Sequence, residues 1–520
     1  MKIIITTSGL GSRLGEFTRY TNKALCKIGD RYAIDYILDN YKNMEGAEFI
    51  ITIGYKGDIV QQYISIAYSY LNVIFVEIDK YSGPGSSLLY SLSRTKEYVN
   101  EPFIFHCCDS IVKDLNINLN NDTLFLYDKP NCGSNYTTID VIGEQIKKIK
   151  FKGSSEYDYI YIGVAYVHDY NRFYDLVFKL LILYPDNDTL SDVHVFDCIV
   201  NTENNINYIV IKDYHDIGNI DDYNHANSVY KKKYEWIPKV KESISFHENM
   251  VIKFFSETEQ NKNICTRQKY IGDVTPKLLK QTANFHAIEL IDAQPLSKIN
   301  RYGLIKEVLI WGKENLWNHI YNDNNFKNVC YNFYYTKTKN RIADGFRDNK
   351  FKDYSIINGV NVGNIDHIIK NINFDALCND KPSNFHGDFI LENILLKGNC
   401  FILLDWRSDF GGELERGDMY YDIAKLRHNI QFDHHNIEEK MYFINKINID
   451  ECELDMKCNY FLMNQLSDLD EFVENNGLSL LKVKILNYLI WINMAPLHEY
   501  PLSNFLFNLG KYNLGLLYSE

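Results

Sequence analysis

Cysteines are scattered through this chain, and none of them falls in a metal-ligand pattern. The 520 residues include 11 cysteines, but there is no Cys-x-x-Cys pair and no Cys/His spacing typical of a zinc site. This absence argues against a zinc module. We expect free thiols in a reducing compartment.

Long apolar runs are also missing. The opening MKIIITTSGLGSR reaches glycine and charge after too few apolar residues for a signal peptide. The stretches near 177–184 and 485–496 contain Lys or Asn, and we expect both to fall short of a membrane span. The sequence therefore predicts a cytoplasmic protein without membrane insertion.

Positive charge is in the minority. Lys and Arg number 55 against 68 Asp and Glu, which gives a formal net charge of −13. This balance argues against a general binder of nucleic acid or anionic membranes, while local basic pockets for phosphates stay compatible with it. We expect small molecules as partners and leave the oligomeric state, including a homo-oligomer, open.

The first hundred residues alternate between strand and helix patterns. This rhythm predicts an α/β fold, a doubly wound and mostly parallel sheet with helices on both faces. Ligands of such sheets lie beyond the carboxyl ends of the strands. The predicted strands are 2–7, 48–54, 72–78 and 102–107, and the predicted helices lie near 30–43, 57–70 and 85–98.

A polar, Lys-rich segment with one proline at 230–243 interrupts this pattern. We interpret it as a domain junction, with domains at 1–235 and 236–520. A short β-rich stretch follows it. Helical patterns lie around 300–320 and 361–373, then a hairpin-like segment, and the rest of the chain is largely helical.

A glycine-rich loop directly follows the first strand. Gly9, Gly11 and Ser12 would bring backbone N–H groups onto a phosphate, and Arg13 would add charge-assisted hydrogen bonds. Lys23 follows at the start of an apolar run, within reach of the same phosphates.

This order of residues resembles the signature of nucleoside-diphosphate-sugar pyrophosphorylases and choline-phosphate cytidylyltransferases. The resemblance implies a Rossmann-like fold that binds a nucleoside triphosphate and Mg²⁺. Such enzymes couple a phosphorylated sugar or alcohol to a nucleoside monophosphate and release pyrophosphate. The sequence departs from the family at Asn22, where a proline is usual, and at Glu16-Phe17, where Pro-Leu is more common.

Further positions fit the same resemblance. The small-residue segment that includes Gly85 and Ser86 opens the third helix and would hold base and ribose through its backbone. Asp109 and Asp216 match the two metal-binding aspartates, a chemistry that suits Mg²⁺ and a triphosphate. Lys152 is a candidate clamp on the acceptor's phosphate.

The most specific string in the chain is HGDFILENILL at 386–396. Asp388 and Asn393 have the spacing of a kinase catalytic loop, and Asp405 takes the position of the second metal carboxylate. The pattern resembles aminoglycoside phosphotransferases and choline kinases. The resemblance implies a bilobal α+β kinase fold, with Asn393 and Asp405 as Mg²⁺ ligands and Asp422 bracing the loop.

Nucleotide binding in this half is predicted at two upstream positions. Lys253 lies on a strand that would carry the ATP-binding lysine, and Glu289 is a candidate hinge residue beside adenine. No glycine-rich phosphate loop precedes Lys253.

The usual acidic partner of such a lysine is missing at its expected place. Arg267 and Gln268 stand there, and Glu257 and Glu259 are closer than expected. Either one of these glutamates serves through a different helix geometry, or the ion pair is absent.

Together the two halves predict a bifunctional enzyme that resembles bacterial capsule-biosynthesis fusions. The C-terminal half would phosphorylate a sugar or polyol hydroxyl with ATP. The N-terminal half would transfer CMP from CTP to a polyol phosphate. Three alternatives stay open: a choline- or ethanolamine-phosphate acceptor, a sugar 1-phosphate acceptor, and a kinase-like half that binds without catalysis.

Overall fold

The structure is a computed structural model. It describes residues 1–113, 115, 119–203, 206–230, 232–234, 239, 241–323 and 325–518. Residues 231, 235–238 and 240 of the predicted junction lie outside the described residues. The chain forms two compact units, the first made of Met1–Asn261 with Leu279–Leu290 and the second of Lys262–Leu278 with Ile291–Glu520.

Most strands of the chain lie in its first 290 residues. They are β1 Lys2–Thr6, β2 Lys27–Ile28, β3 Arg31–Tyr32, β4 Glu48–Ile53, β5 Asn72–Glu77, β6 Phe103–Cys107, β7 Ser110–Val112, β8 Thr123–Tyr127, β9 Thr138–Ile142, β10 Gln145–Lys150, β11 Tyr159–Val167, β12 Asn207–Ile211, β13 Tyr214–Asp216, β14 Glu242–Phe246, β15 Met250–Phe255, β16 Leu278–Gln281 and β17 Phe285–Glu289.

Seven helices accompany these strands in the described part of this region. They are α1 Ala33–Asp39, α2 Gly57–Ala67, α3 Leu88–Ser93, α4 Tyr170–Leu183, α5 Asp192–Glu203, α6 Ile220–Val229 and α7 Thr258–Ile271.

A nine-stranded sheet forms the centre of the first unit, in the order β5-β4-β1-β6-β11-β8-β12-β10-β9. The first four of these strands are parallel, as the βα alternation predicts. The sheet as a whole is mixed, because β11 pairs antiparallel with both β6 and β8 and β10 pairs antiparallel with β9 and β12. The prediction of a mostly parallel sheet therefore holds for the first hundred residues only.

Helices cover both faces of this sheet because its strands are apolar on both sides. Ile3 and Ile5 of β1 pack in one buried cluster with residues of α1 and α2. Ile4, between them, packs in a second buried cluster with residues of α3, α4 and α5. Neighbouring residues of a strand point to opposite faces, so the run KIIIT supplies both cores at once.

A smaller antiparallel sheet, β14-β15-β17-β16, shares the first unit. Ile252 and Phe254 of β15 belong to the same buried cluster as α2. The predicted boundary near 235 stays a prediction about where the two activities divide. In the structure, residues 242–261 and 279–290 belong to the first unit.

The second unit is mainly helical, as predicted for the C-terminal part of the chain. Its helices are α8 Leu304–Asn315, α9 Phe326–Tyr331, α10 Lys337–Arg347, α11 Ile365–Asn371, α12 Phe374–Leu377, α13 Met419–Gln431, α14 His434–Glu438, α15 Tyr460–Asn464, α16 Leu466–Asn475, α17 Leu480–Met494 and α18 Leu502–Leu517. Its strands are β18 Gln294–Pro295, β19 Ile356–Ile357, β20 Val360–Asn361, β21 Ile394–Lys397, β22 Cys400–Leu403, β23 Tyr442–Lys446 and β24 Glu451–Met456.

One helical segment of this unit differs from the prediction. Leu480–Leu497 reaches the length and apolar content of a membrane span, although the sequence of 485–496 predicts a stretch that falls short of one. In the structure 61% of the segment is buried inside the protein, where α17 packs against α13 and α18. A core helix needs the same apolar residues as a membrane helix, so composition alone does not separate the two.

Candidate functional site

The carboxyl ends of the parallel strands bring the predicted N-terminal site residues to one edge of the sheet. Thr6 at the end of β1 pairs with Thr52 of β4 and with Cys107 of β6. The loop that carries Gly9 to Arg13 follows β1, and Asp109 follows β6 two residues after its end. The register therefore places this loop and Asp109 side by side.

Lys23 and Asp109 form the central contact of this site. The Lys23 ammonium lies 2.6 Å from the Asp109 carboxylate, and Lys23 is buried. Burial alone would raise the pKa of Asp109, but the charges of Lys23 and Arg13 outweigh it and lower the pKa. Asp109 is therefore ionised at neutral pH.

Asp216 is held beside Asp109 by a short two-stranded ribbon. In β13 it pairs with Ser110 of β7, and the backbone N–H of Ile217 donates to the Asp109 carbonyl at 3.0 Å. Burial and the charge of Asp109 raise the pKa of Asp216. Two carboxylates separated by more than 100 residues of sequence thus lie close together, and their role as metal ligands stays a prediction.

A tyrosine and a lysine that sequence reasoning missed complete this site. The Tyr136 hydroxyl donates to the Asp216 carboxylate at 2.8 Å and lies 3.2 Å from Asp222. The Lys129 ammonium lies 2.9 Å from the Tyr136 hydroxyl and 3.3 Å from Asp222. Asp222 follows Asp216 by six residues, but no pattern in the sequence marks Tyr136 or Lys129.

Asn22 fixes the backbone that carries Lys23. Its buried side-chain amide donates to the carbonyls of Thr7 at 2.9 Å and Tyr55 at 2.7 Å. Its amide oxygen accepts from the N–H of Ala24 and caps the short 3₁₀ turn Lys23–Leu25. The residue that departs from the family's usual proline therefore ties the turn to two strand ends.

Gly11 allows the predicted phosphate-binding loop after β1 to approach Lys23 closely. Its φ is +64°, in the left-handed region. A β-carbon there would lie 3.0 Å from the Thr18 methyl and 3.1 Å from the Lys23 β-carbon. A larger residue would push the loop away from Lys23.

The remaining predicted residues of this half, apart from Lys152, lie in two loops. Gly9, Ser12 and Arg13 are exposed in the loop after β1. The segment before α3 contains Gly85, whose N–H donates to the Asp186 carbonyl at 3.2 Å, and Ser86, whose hydroxyl donates to the Gly83 carbonyl at 2.6 Å.

Lys152 lies apart from these residues. It is exposed in the connection between β10 and β11, and the described residues show no hydrogen bond or ion pair from it to Lys23, Asp109 or Asp216. The structure does not bring it into the site, so its role as acceptor clamp stays a prediction.

The two aspartates fit a divalent cation. Their carboxylates are close enough for the charge of one to raise the pKa of the other. Carboxylate oxygens suit Mg²⁺, which usually keeps further ligands from water and substrate phosphates. Within the described residues no group of three or more His, Cys, Asp or Glu side chains is arranged to hold a metal. A cation here would therefore need further ligands from a bound phosphate or from water.

The second unit assembles the predicted kinase-type loop. The Asn393 side-chain amide donates to the Asp388 carboxylate at 3.1 Å and to its carbonyl at 3.0 Å. The Lys425 ammonium of α13 lies 2.7 Å from the same carboxylate. Burial would raise the pKa of Asp388, but the charge of Lys425 outweighs it and lowers the pKa to about 2.

Asp422 braces this loop, as the resemblance implies. Its carboxylate accepts hydrogen bonds from the backbone N–H groups of His386 at 2.7 Å and Gly387 at 2.6 Å. It also accepts one from the indole N–H of Trp317 at 2.9 Å. Lys425 follows Asp422 by three residues and therefore shares its helix face, a signal that sequence reasoning overlooked.

Arg267 stands where the resemblance to kinases predicts a glutamate. It is 1% exposed, and its guanidinium donates to the carbonyls of Phe385 at 2.6 Å, His386 at 3.4 Å and Leu414 at 3.0 Å. Burial lowers its pKa to about 9. Arg267 thus supports the loop that precedes Asp388.

The other predicted residues of the kinase-like half are placed as follows. Lys253 lies on β15 and Glu289 ends β17, both in the first unit. The chain passes to the second unit directly after Leu290, beside the predicted hinge. Glu257 pairs with Lys241 at 2.6 Å, and Asp405 is exposed with φ +54° just after β22.

Comparisons with known proteins cover the N-terminal half. The chain is 26% identical over 209 residues to the choline-phosphate cytidylyltransferase of Streptococcus pneumoniae, covering 38% of this chain and 88% of the relative. It is 35% identical over 65 residues to the glucose-1-phosphate cytidylyltransferase of Salmonella typhimurium, covering 12% of this chain and 25% of the relative. The N-terminal half is therefore similar in sequence to cytidylyltransferases.

Solved structures match over the same half. The CTP:phosphocholine cytidylyltransferase of Streptococcus pneumoniae matches with a TM-score of 0.38 and 22% identity over 44% of this chain and 99% of its own. The inositol-1-phosphate CTP transferase of T. maritima matches with a TM-score of 0.37 and 20% identity over 45% and 98%. Comparison with protein-family models finds no match.

Proposed function

We propose that this protein is a bifunctional enzyme with one transfer reaction in each half. The N-terminal half transfers CMP from CTP to the phosphate of a small alcohol and releases pyrophosphate. The C-terminal half transfers the γ-phosphoryl group of ATP to a hydroxyl group. Surface polysaccharide assembly is the process that such activated alcohols would serve.

The contact of Lys23 with Asp109, next to Asp216, is the observation that supports the transferase most strongly. An acceptor phosphate oxygen would attack the α-phosphorus of CTP, and the bond to the pyrophosphate oxygen would break. This reaction needs no protein nucleophile, because positioning and charge stabilisation supply the rate. Lys23 and Arg13 would neutralise phosphate charge. Asp109 and Asp216 would hold Mg²⁺, which supplies further charge neutralisation when bound.

The choice of CTP rests on the sequence similarity and on the segment Ser82 to Ser87. The relatives in the sequence comparison are cytidylyltransferases by name. The segment consists of small residues and one proline, so its backbone N–H and C=O groups suit a pyrimidine edge. Each missing hydrogen bond to a buried polar edge costs about 1–3 kcal/mol, enough for roughly ten- to hundredfold discrimination.

The acceptor of the transferase is proposed as a polyol phosphate. A choline or ethanolamine phosphate is the main alternative, since the relative that matches over 209 residues is a choline-phosphate cytidylyltransferase. A sugar 1-phosphate is the other, in line with the glucose-1-phosphate relative. Lys152 is kept as a candidate contact to the acceptor phosphate.

The kinase proposal rests on Asp388 together with Asn393 and Asp405. Asp388 would orient the acceptor hydroxyl and take its proton, while the hydroxyl oxygen bonds to the γ-phosphorus and ADP leaves. Asn393 and Asp405 offer amide and carboxylate oxygens that suit Mg²⁺. Lys253 and Glu289 are proposed to contact ATP.

A second function for this half is nucleotide or partner binding without catalysis. The observation that favours it is Arg267, which stands in place of the usual glutamate. Its guanidinium donates hydrogen bonds to backbone carbonyls. Glu257, a nearby acid, pairs with Lys241.

One experiment separates these possibilities. The full chain is incubated with Mg²⁺, ATP and each nucleoside triphosphate, together with hexoses, polyols, amino alcohols and their phosphates. ADP and pyrophosphate are followed separately. We expect pyrophosphate from CTP first and from UTP more slowly. A preference for GTP or dTTP would refute the cytidylyltransferase proposal, and no ADP with any acceptor would favour the binding-only alternative.

A further inference from the structure

A small cavity in the second unit lies directly beside the predicted kinase loop. Its volume is about 130 Å³, room for roughly four water molecules. Phe333, Lys337 and Arg341 line it from one side, and Arg407 and Lys425 line it from another. The Lys425 ammonium that faces it lies 2.7 Å from the Asp388 carboxylate.

The lining of this cavity is strongly basic. Four of its lining side chains are lysine or arginine, namely Lys337, Arg341, Arg407 and Lys425. Among the described residues that line it, there is no aspartate or glutamate. Lys425 has an ion-pair partner in Asp388, and the charge of Asp409, outside the lining, acts on Lys337.

Lys337 is in contact with an aromatic ring. Its amino group lies 3.9 Å from the centre of the Phe333 ring, and the Arg407 guanidinium lies 5.1 Å from the same ring. Burial and the charges of Arg407 and Arg341 outweigh the charge of Asp409 and lower the pKa of Lys337 to about 6. Charging a lysine in such surroundings is costly unless an anion joins it.

The local backbone also points to a ligand site. The residues Asn332–Thr336, directly before Lys337, form a π-helical turn that joins α9 to α10. Such turns cost helix stability and occur frequently at functional sites. This turn presents Phe333 and Tyr334 to the cavity.

We propose that this cavity binds the negatively charged group of the molecule that the C-terminal half phosphorylates. The inference rests on the proposed kinase function and narrows its acceptor to an anionic hydroxyl compound, with a phosphate or a carboxylate. The anion would be held by Lys337, Arg341 and Arg407, and its hydroxyl would lie towards Asp388. Charge-assisted hydrogen bonds from lysine and arginine suit both kinds of anion.

The same charges disfavour a cationic acceptor. Choline carries a permanent positive charge, and sites for quaternary ammonium groups are built from aromatic rings without competing cations. Here the rings of Phe333, Tyr334 and Tyr421 line a cavity with four basic side chains, and Phe333 is already in contact with Lys337. The cavity therefore argues against choline in this half, whatever alcohol phosphate the transferase uses.

Calorimetry of ligand binding to the full chain tests this inference. The probes are inorganic phosphate, glycerol 3-phosphate and glycerate as anions, glycerol as the neutral compound and choline as the cation. Three variants are compared with the unmodified chain. Lys337→Gln removes the charge, Lys337→Arg keeps it, and Lys339→Gln removes an exposed lysine of the same helix outside the cavity.

We expect at least one of the anions to bind, and Lys337→Gln to weaken that binding roughly tenfold to a hundredfold. Lys337→Arg and Lys339→Gln should bind it like the unmodified chain. Choline binding that depends on Lys337, equal binding of glycerol, or anion binding that Lys337→Gln leaves unchanged would overturn the inference, as would no anion binding at all. ADP release is measured separately, so Lys337-dependent binding without turnover would refute the kinase proposal and leave the anion site standing.

Discussion

At the scale of single residues, each candidate site pairs one carboxylate with one lysine. Lys23 lies 2.6 Å from Asp109, and Lys425 lies 2.7 Å from Asp388. In both pairs the lysine outweighs burial and lowers the pKa of the carboxyl group. Both carboxylates are therefore ionised at neutral pH. In this form a carboxylate can bind a metal ion or accept the proton of a hydroxyl group.

The amide of Asn22 gives a test of how the first pair is positioned. Asn22→Ala removes the hydrogen bonds to Thr7 and Tyr55 and the cap on Ala24. We expect a loss of about 1–3 kcal/mol in the free energy of unfolding and a lower kcat for pyrophosphate release. Asn72→Ala, which removes an exposed amide from β5, is the matched control for denaturant unfolding and steady-state kinetics. Equal kinetics in the two variants would contradict the positioning role.

Asp192 gives a pH test at the same scale. Its buried carboxyl group accepts a hydrogen bond from Tyr161 at 2.6 Å, and burial raises its pKa to about 6. An unfolded aspartate titrates near 3.9. Between about pH 4 and 6 the folded chain therefore binds more protons, so the free energy of unfolding falls as pH rises through this window.

Asp192→Asn removes this titration. The free energy of unfolding of the variant should change by about 1–3 kcal/mol less between about pH 4 and 6 than that of the unmodified chain. Urea unfolding at several pH values measures this difference. Tyr161→Phe removes the hydrogen bond that favours the ionised form and should steepen the fall instead. An unchanged slope in both variants would mean that Asp192 is not buried as the structure has it.

At the scale of elements, the turn before α3 carries the proposed choice of base. Gly83 and Gly85 both have positive φ, +83° and +77°. A β-carbon at Gly85 would lie 2.7 Å from the Pro185 carbonyl oxygen, whereas a β-carbon at Gly83 would meet no atom within 4 Å. The two glycines thus share the backbone conformation but differ in their surroundings.

This difference predicts unequal effects of the same substitution. Gly83→Ala should cost only the strain of its conformation, about 1 kcal/mol. Gly85→Ala should also displace the turn and raise the KM for CTP by roughly tenfold or more. Steady-state kinetics with CTP and UTP compare the two variants. If Gly83→Ala raised the KM as much as Gly85→Ala, the contact with Pro185 would not position the base segment.

The elements themselves could be predicted where their patterns are local. The runs KIIIT and EFIITI are apolar on both faces, and they form the interior strands β1 and β4. Asp388 and Asn393, which have the spacing of a kinase catalytic loop, are hydrogen-bonded to each other in the structure. Tyr136 could not be predicted, because it meets Asp216 across 80 residues of sequence and a tyrosine carries no motif of its own.

At the scale of the whole molecule, local patterns did not predict that the small sheet β14-β15-β17-β16 belongs to the first unit. The sequence of β15 predicts a strand at the start of a kinase domain, yet this strand shares a buried cluster with α2. The Tyr63 hydroxyl of α2 lies 2.9 Å from His247, and Gln62 accepts from the N–H of Asn284 at 2.8 Å. Such packing depends on contacts across about 200 residues, which no window of the sequence contains.

Two fragments test this packing. A fragment of residues 1–234 lacks Ile252, Phe254, Phe285 and Ala287 of the shared cluster, and a fragment of residues 1–292 keeps them. We expect the shorter fragment to have a Tm several degrees lower, because burying each large apolar side chain contributes about 1.5–3 kcal/mol. Equal Tm values in calorimetry would show that the small sheet adds nothing to the stability of the transferase half.

The proposal that the protein contains two independent transfer centres is tested most directly by two matched substitutions in the full chain. Asp109→Asn and Asp388→Asn each replace one carboxylate by an amide of the same shape. Pyrophosphate release from CTP with a supplied alcohol phosphate is measured beside ADP release from ATP with an anionic hydroxyl compound.

We predict that Asp109→Asn lowers pyrophosphate release by a factor of roughly 10²–10⁴ and leaves ADP release intact. Asp388→Asn should abolish ADP release and leave pyrophosphate release intact. Full pyrophosphate release by Asp109→Asn, or the loss of both activities in either folded variant, would contradict the account.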